Sequence, residues 1–575
     1  MKPTRCCLAA CLWGGLGFYG PVAHAAELVG SGALAGSSMQ VKSDTEIRYH
    51  HVPEKLENFE DRNIHDYVEQ VERLNLLISK QGLAVGLQVD QVALFANRYM
   101  LDDELYHSVN LYNEEAITSP FPDAYVTMEK FFVQRRFGGA AQTEMTFGDT
   151  YASFGRGMAL NMVRNTDIDV DTSIRGAKAV VRWGAMDFTA VSGLTNTQQV
   201  SQDFANADID LDTPHMVSGA RFSHYGLGPM QVGVHGVIYR FGRSGDEDRP
   251  ALTRYQNESP LDAVVSGATI ELPGVLGVDW FVEGDLFGYG TSEFSGSEEP
   301  LLGTAVYASA SAYPGKTTVL LEGKRTKDTE RINAFATPEG WEVANVPTME
   351  YERVITEDGS AAVNSNDLAG VRMRLDYAAK PGEFVPYVAV GAFRDEDVSG
   401  LHFNASPETI THSVGGLQWF KGERVVQVNG GYRVDLRDDA AECMDQLAHI
   451  DGELHFPLFG EESLEIAVSA KRFWWGNNLQ QQQDFTEMEN ALGLHHGEKL
   501  VVLVYQDWSD NPLVRSEGNI DDSLYGAVEV HYKPKPSMKI RAFYGAYKAG
   551  IRCSGGQCRS LPGFEGGRLA VESTF

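Results

Sequence analysis

Gly567-Arg568-Leu569-Ala570-Val571-Glu572-Ser573-Thr574-Phe575 ends the chain. Side chains alternate across an extended strand, so Leu569, Val571, Ser573 and Phe575 share one face and Arg568, Ala570, Glu572 and Thr574 the other. One face is largely apolar and the other polar, and an aromatic residue closes the chain. Such a strand suits a half-buried position in a soluble sheet or the last position in a closed barrel. The residues before it decide between the two.

The opening, Met1-Lys2-Pro3-Thr4-Arg5, is basic and lacks an acid; Cys6 to Val22 is apolar and glycine-rich. Ala23-His24-Ala25 then places small residues at the two positions a signal peptidase reads. This predicts a secretory signal peptide at 1–25, cut after Ala25, and one domain over 26–575. Leu8-Ala9-Ala10-Cys11 matches a lipoprotein box, but only Cys6 and Cys7 separate it from Arg5, too little for an apolar core. Without the signal, 46 basic residues face 79 acidic ones, a net charge of about −33. That balance excludes nucleic acid as a partner, because phosphate contacts need a basic footprint. Mean hydropathy is −0.25, and no later apolar run approaches the roughly 20 residues of a spanning helix. A membrane form must therefore be a closed barrel.

After Glu27 the period is two. Val371, Met373, Leu375 and Tyr377 alternate with Arg372, Arg374 and Asp376; Leu464, Ile466, Val468 and Ala470 alternate with Glu465, Ala467, Ser469 and Lys471. Tyr432 and Val434 flank Arg433, and Ile540 and Ala542 interleave with Lys539 and Arg541. The segment from Val232 to Phe241 is less clean, with His235 and Arg240 on opposite faces. Connections alternate in length. Lys533 to Pro536, His496 to Glu498, Pro457 to Glu462, Lys421 to Glu423, Lys380 to Gly382 and Pro314 to Lys316 are short. Trp508 to Asp522, Gly476 to Asp484, Asp435 to Gln446, Asp395 to Ile410 and Asp328 to Asp367 are long. Acidic runs such as Asp203 to Asp212, Asp246-Glu247-Asp248 and Asp438-Asp439 sit in long connections. Sorting of length and charge by parity is what an outer-membrane barrel shows, with short periplasmic turns and longer outside loops. The predicted fold is all-β: a large single antiparallel transmembrane barrel of about 22–26 strands without a separate plug domain. Phe473-Trp474-Trp475, Trp419-Phe420 and Tyr544 with Tyr547 are the expected interfacial aromatics.

With export and a barrel in view, the closing strand resembles the C-terminal sorting strand of bacterial outer-membrane proteins, with Leu569, Val571 and Phe575 on its apolar face. That implies contact with the barrel-assembly machinery during biogenesis. Tyr544-Gly545 leads to Gly550-Ile551-Arg552-Cys553-Ser554-Gly555-Gly556-Gln557-Cys558-Arg559, then Pro562 and Gly566. With Arg175-Gly176 and the glycine cluster at 147–157, this resembles the closing motif of an uncharacterised family of Gram-negative outer-membrane β-barrels. The resemblance runs loosely over the mature chain, including Asn345 to Tyr351 and His449 to Leu458. It implies the fold and no activity. Cys553 and Cys558 lie in the last long loop of a chain that crosses an oxidising periplasm, and Gly555 and Gly556 permit a tight ring, so a disulfide is expected. Zinc is disfavoured there, because the spacing is not Cys-x2-Cys and no second ligand pair follows. Cys443 is left as a free thiol.

Phe147-Gly148-Asp149-Thr150-Tyr151-Ala152-Ser153-Phe154-Gly155-Arg156-Gly157 fails as a phosphate loop, since no Gly-Lys-Ser/Thr follows. It reads as a tight strand connection or a kinked strand. Asp167, Asp169 and Asp171, like Asp208, Asp210 and Asp212, group three carboxylates. Thr172 and Thr213 take the glycine position of a calcium loop, so solvated acidic loops are expected instead. His495-His496 reads as a polar turn. Gly-x-Ser-x-Gly, His-Glu-x-x-His and Cys-x-x-Cys-His are absent, and neither a catalytic set nor a cofactor is expected. The favoured function is a porin-like channel or passive transporter in the Gram-negative outer membrane, in contact with its lipid and lipopolysaccharide. Arg372, Arg374, Asp376, Arg433, Glu465, Lys471, Lys539 and Arg541 would line its lumen. The alternative is a surface barrel whose acidic loops bind a partner, a cation or lipopolysaccharide, without an open pore. Strand-like patterning soon after Ala26 argues against a TonB-type receptor, which needs a globular plug.

Overall fold

The computed structural model describes residues 26–27, 37–51, 67–95, 124–165, 170–199, 215–240, 262–289, 301–327, 329, 368–395, 407–437, 444–474, 484–510, 524–547, 550–554, 557–561 and 564–575. The signal peptide, Cys443, the 203–212 run and the other acidic runs fall outside them. No helix occurs among the described residues. Twenty-four strands of 10–14 residues form one antiparallel ring, each paired to its chain neighbours. The ring closes where Phe564–Thr574 pairs with Ser38–His50, from Lys42 opposite Thr574 to His50 opposite Gly566. Phe575 completes the seam: its N–H donates to the Val41 carbonyl at 2.7 Å and its carbonyl accepts from the Val41 N–H at 2.9 Å. Two further stubs, Ala26–Glu27 and Arg164–Asn165, append to the sheet.

Parity of the connections holds around the ring. On the side of both ends of the seam, Ser38 and Phe575, turns run from two residues (Gln81-Gly82) to six (378–383). On the other side connections run from six residues (438–443) to forty (328–367). Two of the tightest turns place positive φ at both central residues, Gln81 with Gly82 and Leu276 with Gly277. Their twist matches that of the flanking strands.

The two faces of the wall differ in chemistry. Val126, Val234, Ile238, Leu286, Leu302, Val371 and Val388 are more than half exposed on the outside. An apolar belt of this extent is unsuited to water and suits hydrocarbon. Trp183, Tyr225, Tyr313 and Tyr377 stand exposed at the short-turn end, as an interfacial girdle does. Two of the expected interfacial aromatics, both at the opposite rim, face inward instead: Phe473 stacks on Phe485 at 4.4 Å, and Tyr547 packs on Phe543 and Phe564. They occupy inward positions of the alternation, whereas Tyr544, one residue out of phase with Phe543, is 75% exposed.

Candidate functional site

Twenty-four strands about 4.8 Å apart and tilted about 40° enclose a ring roughly 45–50 Å across the backbone. Side chains alone do not fill such a width. Part of it is occupied by the segment that follows Thr150, which turns into the ring as a small hairpin, Ala152–Phe154 against Leu160–Met162. The glycine cluster makes the entry and the tip. Gly148 has φ +99°, and a Cβ there would lie 2.0 Å from the Phe131 carbonyl oxygen. Gly155, at the tip with φ +60°, has no room for a Cβ, which would meet the Glu283 carboxylate. The predicted kink is therefore present, but the strand connection leads into the lumen rather than outward.

The hairpin is fixed at base and tip. Lys178 Nζ donates to the Tyr151 carbonyl at 2.6 Å, and Tyr151 Oη donates to Asp171 Oδ1 at 2.7 Å. Asp171 also pairs with Lys130, and Thr172 N–H reaches the Val163 carbonyl at 3.0 Å. Of the carboxylate triplet read as a solvated loop, Asp171 thus serves as an anchor inside the structure; Asp167 and Asp169 lie outside the described residues. At the tip, Tyr239 Oη donates to the Ala159 carbonyl at 2.6 Å and the Arg156 N–H to Glu283 Oε2 at 2.7 Å. Between them Phe154, Met158, Leu160 and Met162 are buried against Val217, Val237, Val265, Phe287 and Tyr289 of the inner wall. Each such side chain contributes about 1.5–3 kcal/mol of burial.

From the tip a polar chain runs along the wall. The Arg156 guanidinium lies over the rings of Phe281 (4.7 Å) and Tyr307 (4.6 Å). Tyr307 Oη donates to Glu322, and Arg372 Nε donates to Glu322 Oε2 at 3.0 Å. Arg374 binds Asp376 at 3.0 Å and lies over the Tyr387 ring at 4.0 Å. Directly opposed residues share a face, and the line Arg372, Gly391, His412, Arg433, Leu447, Phe473 continues round the inside. All eight residues proposed to line the lumen lie on this inner face. Glu465 pairs with His495 at 2.9 Å, and Arg541 reaches Glu46 at 4.0 Å. Lys471 stands opposite His449 and Glu487, and Lys539 opposite Glu572. Arg433 departs from the expected role: it and Asp435 are each 1% exposed, bonded at 2.7 Å, so it sits in a packed wall and not at a water surface. Among the described residues some of these charges pair along one strand, as Arg374 with Asp376 and Arg433 with Asp435, and others across strands, as Arg372 with Glu322, which local alternation could not show.

His495 and His496 bond Glu465 and Glu462 of the neighbouring strand, in keeping with a polar turn. Ser469 Oγ donates to Asp451 Oδ1 at 2.8 Å while His449 Nδ1 meets Oδ2 at 2.8 Å. The carboxylate stands between serine and imidazole, so the hydroxyl faces no base and the group is not a nucleophile triad. Cys553 lies opposite Cys558 in the two-stranded ribbon Gly550–Ser554 and Gln557–Leu561; their side chains fall outside the described residues. The sequence reading missed the inner hairpin, Arg156, Tyr239, Glu283 and Glu322. A partial signal was available: Val278–Tyr289 carries Phe281, Phe287 and Tyr289 on its inward face beside Glu283 and Asp285, and aromatic residues on a lumen face mark a wall covered from inside.

No family model matches the chain, and no curated protein matches it. Solved structures do. The P pilus usher PapC translocation pore matches at 7% identity over 93% of this chain and 99% of its own, with a TM-score of 0.40. The copper transporter OprC matches at 9% identity over 93% and 81%, TM-score 0.41. The outer membrane protein OpdK from Pseudomonas aeruginosa matches at 14% identity over 76% and 99%, TM-score 0.34. Identities this low and TM-scores below 0.5 leave solute, partner and mechanism to be argued from this chain's own residues.

Proposed function

We propose that the chain is a channel or passive transporter of the Gram-negative outer membrane, exported by a signal peptide cleaved after Ala25. The observation that carries this reading is the inner hairpin. It narrows a ring otherwise too wide to be selective, and it leaves a charged wall facing the remaining space. The hairpin packs on the wall between Ile174 and Tyr307. The paired charges of Arg372, Arg374, Glu465 and Arg541 stand on other strands. A solute passing the hairpin would meet Arg156 with the neighbouring Arg372–Glu322 pair on one stretch of wall, and the Glu465–His495 and Arg541–Glu46 pairs on others. Ion pairs facing a channel tune selectivity without the cost of isolated buried charge. Outer-membrane lipid and lipopolysaccharide are the expected surroundings, and the barrel-assembly machinery the expected partner in biogenesis.

Conductance of the purified protein in planar bilayers tests the reading. Stable unitary conductance that rises when residues 152–162 are replaced by a short Gly-Ser link supports it. A wild type and a hairpin-less variant that both fail to conduct overturn it.

A further inference from the structure

We propose that His235, Glu283 and Asp285 form a site for one divalent transition-metal ion, with zinc as the representative, beneath the inner hairpin. His235 lies on Met230–Arg240, and Glu283 and Asp285 lie on Val278–Tyr289. The strand between them places Gly267 directly between His235 and Asp285 in register. A Cβ at Gly267 would lie 1.9 Å from Asp285 Oδ1 and 2.5 Å from His235 Nε2. Only a bare backbone lets imidazole and carboxylate meet across it, at 2.6 Å. A second glycine, Gly155, admits Glu283 from the hairpin side. The ligand atoms of the three residues lie within 4.8 Å of one another.

The site is dry and sets two carboxyl groups beside one imidazole. Glu283 is 0%, Asp285 2% and His235 7% exposed. Glu283 Oε2 accepts the Arg156 N–H and Asp285 Oδ1 faces His235 Nε2. The other oxygens, Glu283 Oε1 and Asp285 Oδ2, are buried without a hydrogen-bond partner among the described residues. Desolvated carboxylate oxygens without donors are costly, and each such group in a native fold calls for an explanation. Neither His235 nor the Arg156 guanidinium, which lies over the Phe281 and Tyr307 rings, donates to those two oxygens. A divalent ion would satisfy both free oxygens and leave His235 neutral.

The donor set selects the metal. An imidazole with two carboxylates and no thiolate suits zinc and its first-row neighbours, whereas calcium and magnesium prefer six or more oxygens. Three protein donors leave a fourth tetrahedral position for water. Ligand atoms around zinc stand about 3.3 Å apart, given bonds of about 2.0–2.1 Å. The 2.6 Å contact must open and the wider separations close, which side-chain rotation accomplishes. Phe154 roofs the imidazole at 6.3 Å between ring centres, so the ion enters before the hairpin docks. Because Glu283 also holds the Arg156 N–H, the ion would tie hairpin to wall.

The full chain is refolded into detergent with zinc chloride, treated with EDTA and assayed for metal, alongside His235→Gln and Glu283→Gln. One EDTA-resistant zinc per chain in the wild type, falling below about a tenth in both variants, supports the site. No retained zinc in the wild type, or equal retention in variants that keep heat-modifiable migration, overturns it. Zinc-edge absorption of the wild type decides the case if neither variant folds. One imidazole with oxygen donors supports the site; sulfur, two imidazoles or none sinks it. The proposal does not depend on whether the lumen conducts.

Discussion

Replacing Phe154 by alanine measures how firmly the inner hairpin is docked. Phe154 is 1% exposed and packs into the largest buried apolar cluster among the described residues, where Gly219 opposite leaves space for its ring. Truncating a buried phenylalanine costs about 3–5 kcal/mol. If the loss falls on docking alone, the undocked fraction rises by about two to four powers of ten. A second change, Met158→Cys, supplies a probe, since Met158 is also 1% exposed and lies in the same apolar cluster. When opening is fast compared with modification, labelling by a small thiol reagent tracks the open population. The introduced thiol should therefore react about a hundred to ten thousand times faster in the Phe154→Ala background than in the Phe154 background. Peptide mapping separates it from the native cysteines. Equal labelling rates in the two backgrounds would refute the claim that apolar packing holds the hairpin on the wall. Phe154→Leu, which keeps most of the buried volume, should stay within about tenfold of the parent.

Three further outcomes are expected. Deleting Phe575 removes two backbone hydrogen bonds at the seam with Val41; it should lower outer-membrane levels while the inserted fraction keeps heat-modifiable migration, and unchanged levels would count against the sorting-strand reading. Thiols introduced at Asn511, Gln481 and Ser399 should react with impermeant reagents on intact cells, and thiols at Pro534, Gly497 and Gly382 should not; the reverse pattern would invert the barrel. Alanine at Arg372, Arg374, Lys471 and Arg541 together should shift ion preference toward cations, most at low salt, where charges are least screened. It strips Glu322 and Asp376 of their arginine partners and takes Arg541 from Glu46, which keeps Arg48, and unchanged selectivity in a folded variant would place these groups away from the solute path.

The architecture was legible in the sequence because its causes are local. Period-two alternation, such as Val371 to Tyr377, assigns each residue to a face without knowledge of the neighbouring strand. The parity of loop length then orders the strands and gives the ring its two rims. The closing strand carries its own signature, and the structure pairs it with Ser38–His50. Alternation did less well where the inner face mixes apolar and polar residues. Between Val217 and Tyr307 the inner face was available as a sign that something covers it, and the glycine cluster at 147–157 as the segment that turns in.

Partnership between strands was decided by the tertiary structure. Arg156 and Glu283 are 127 residues apart in the chain, and Arg372 and Glu322 are 50 apart. Whether an inward charge meets water or a counter-charge depends on register across strands, and a slip of one residue would reverse every face. Arg433 read as lumen lining and proved to be a sealed pair with Asp435, two residues along its own strand. The His235, Glu283 and Asp285 group needs three strands, two glycines and a hairpin from a fourth place in the chain. Sequence determines which face each side chain takes; only closure of the ring determines what it meets there.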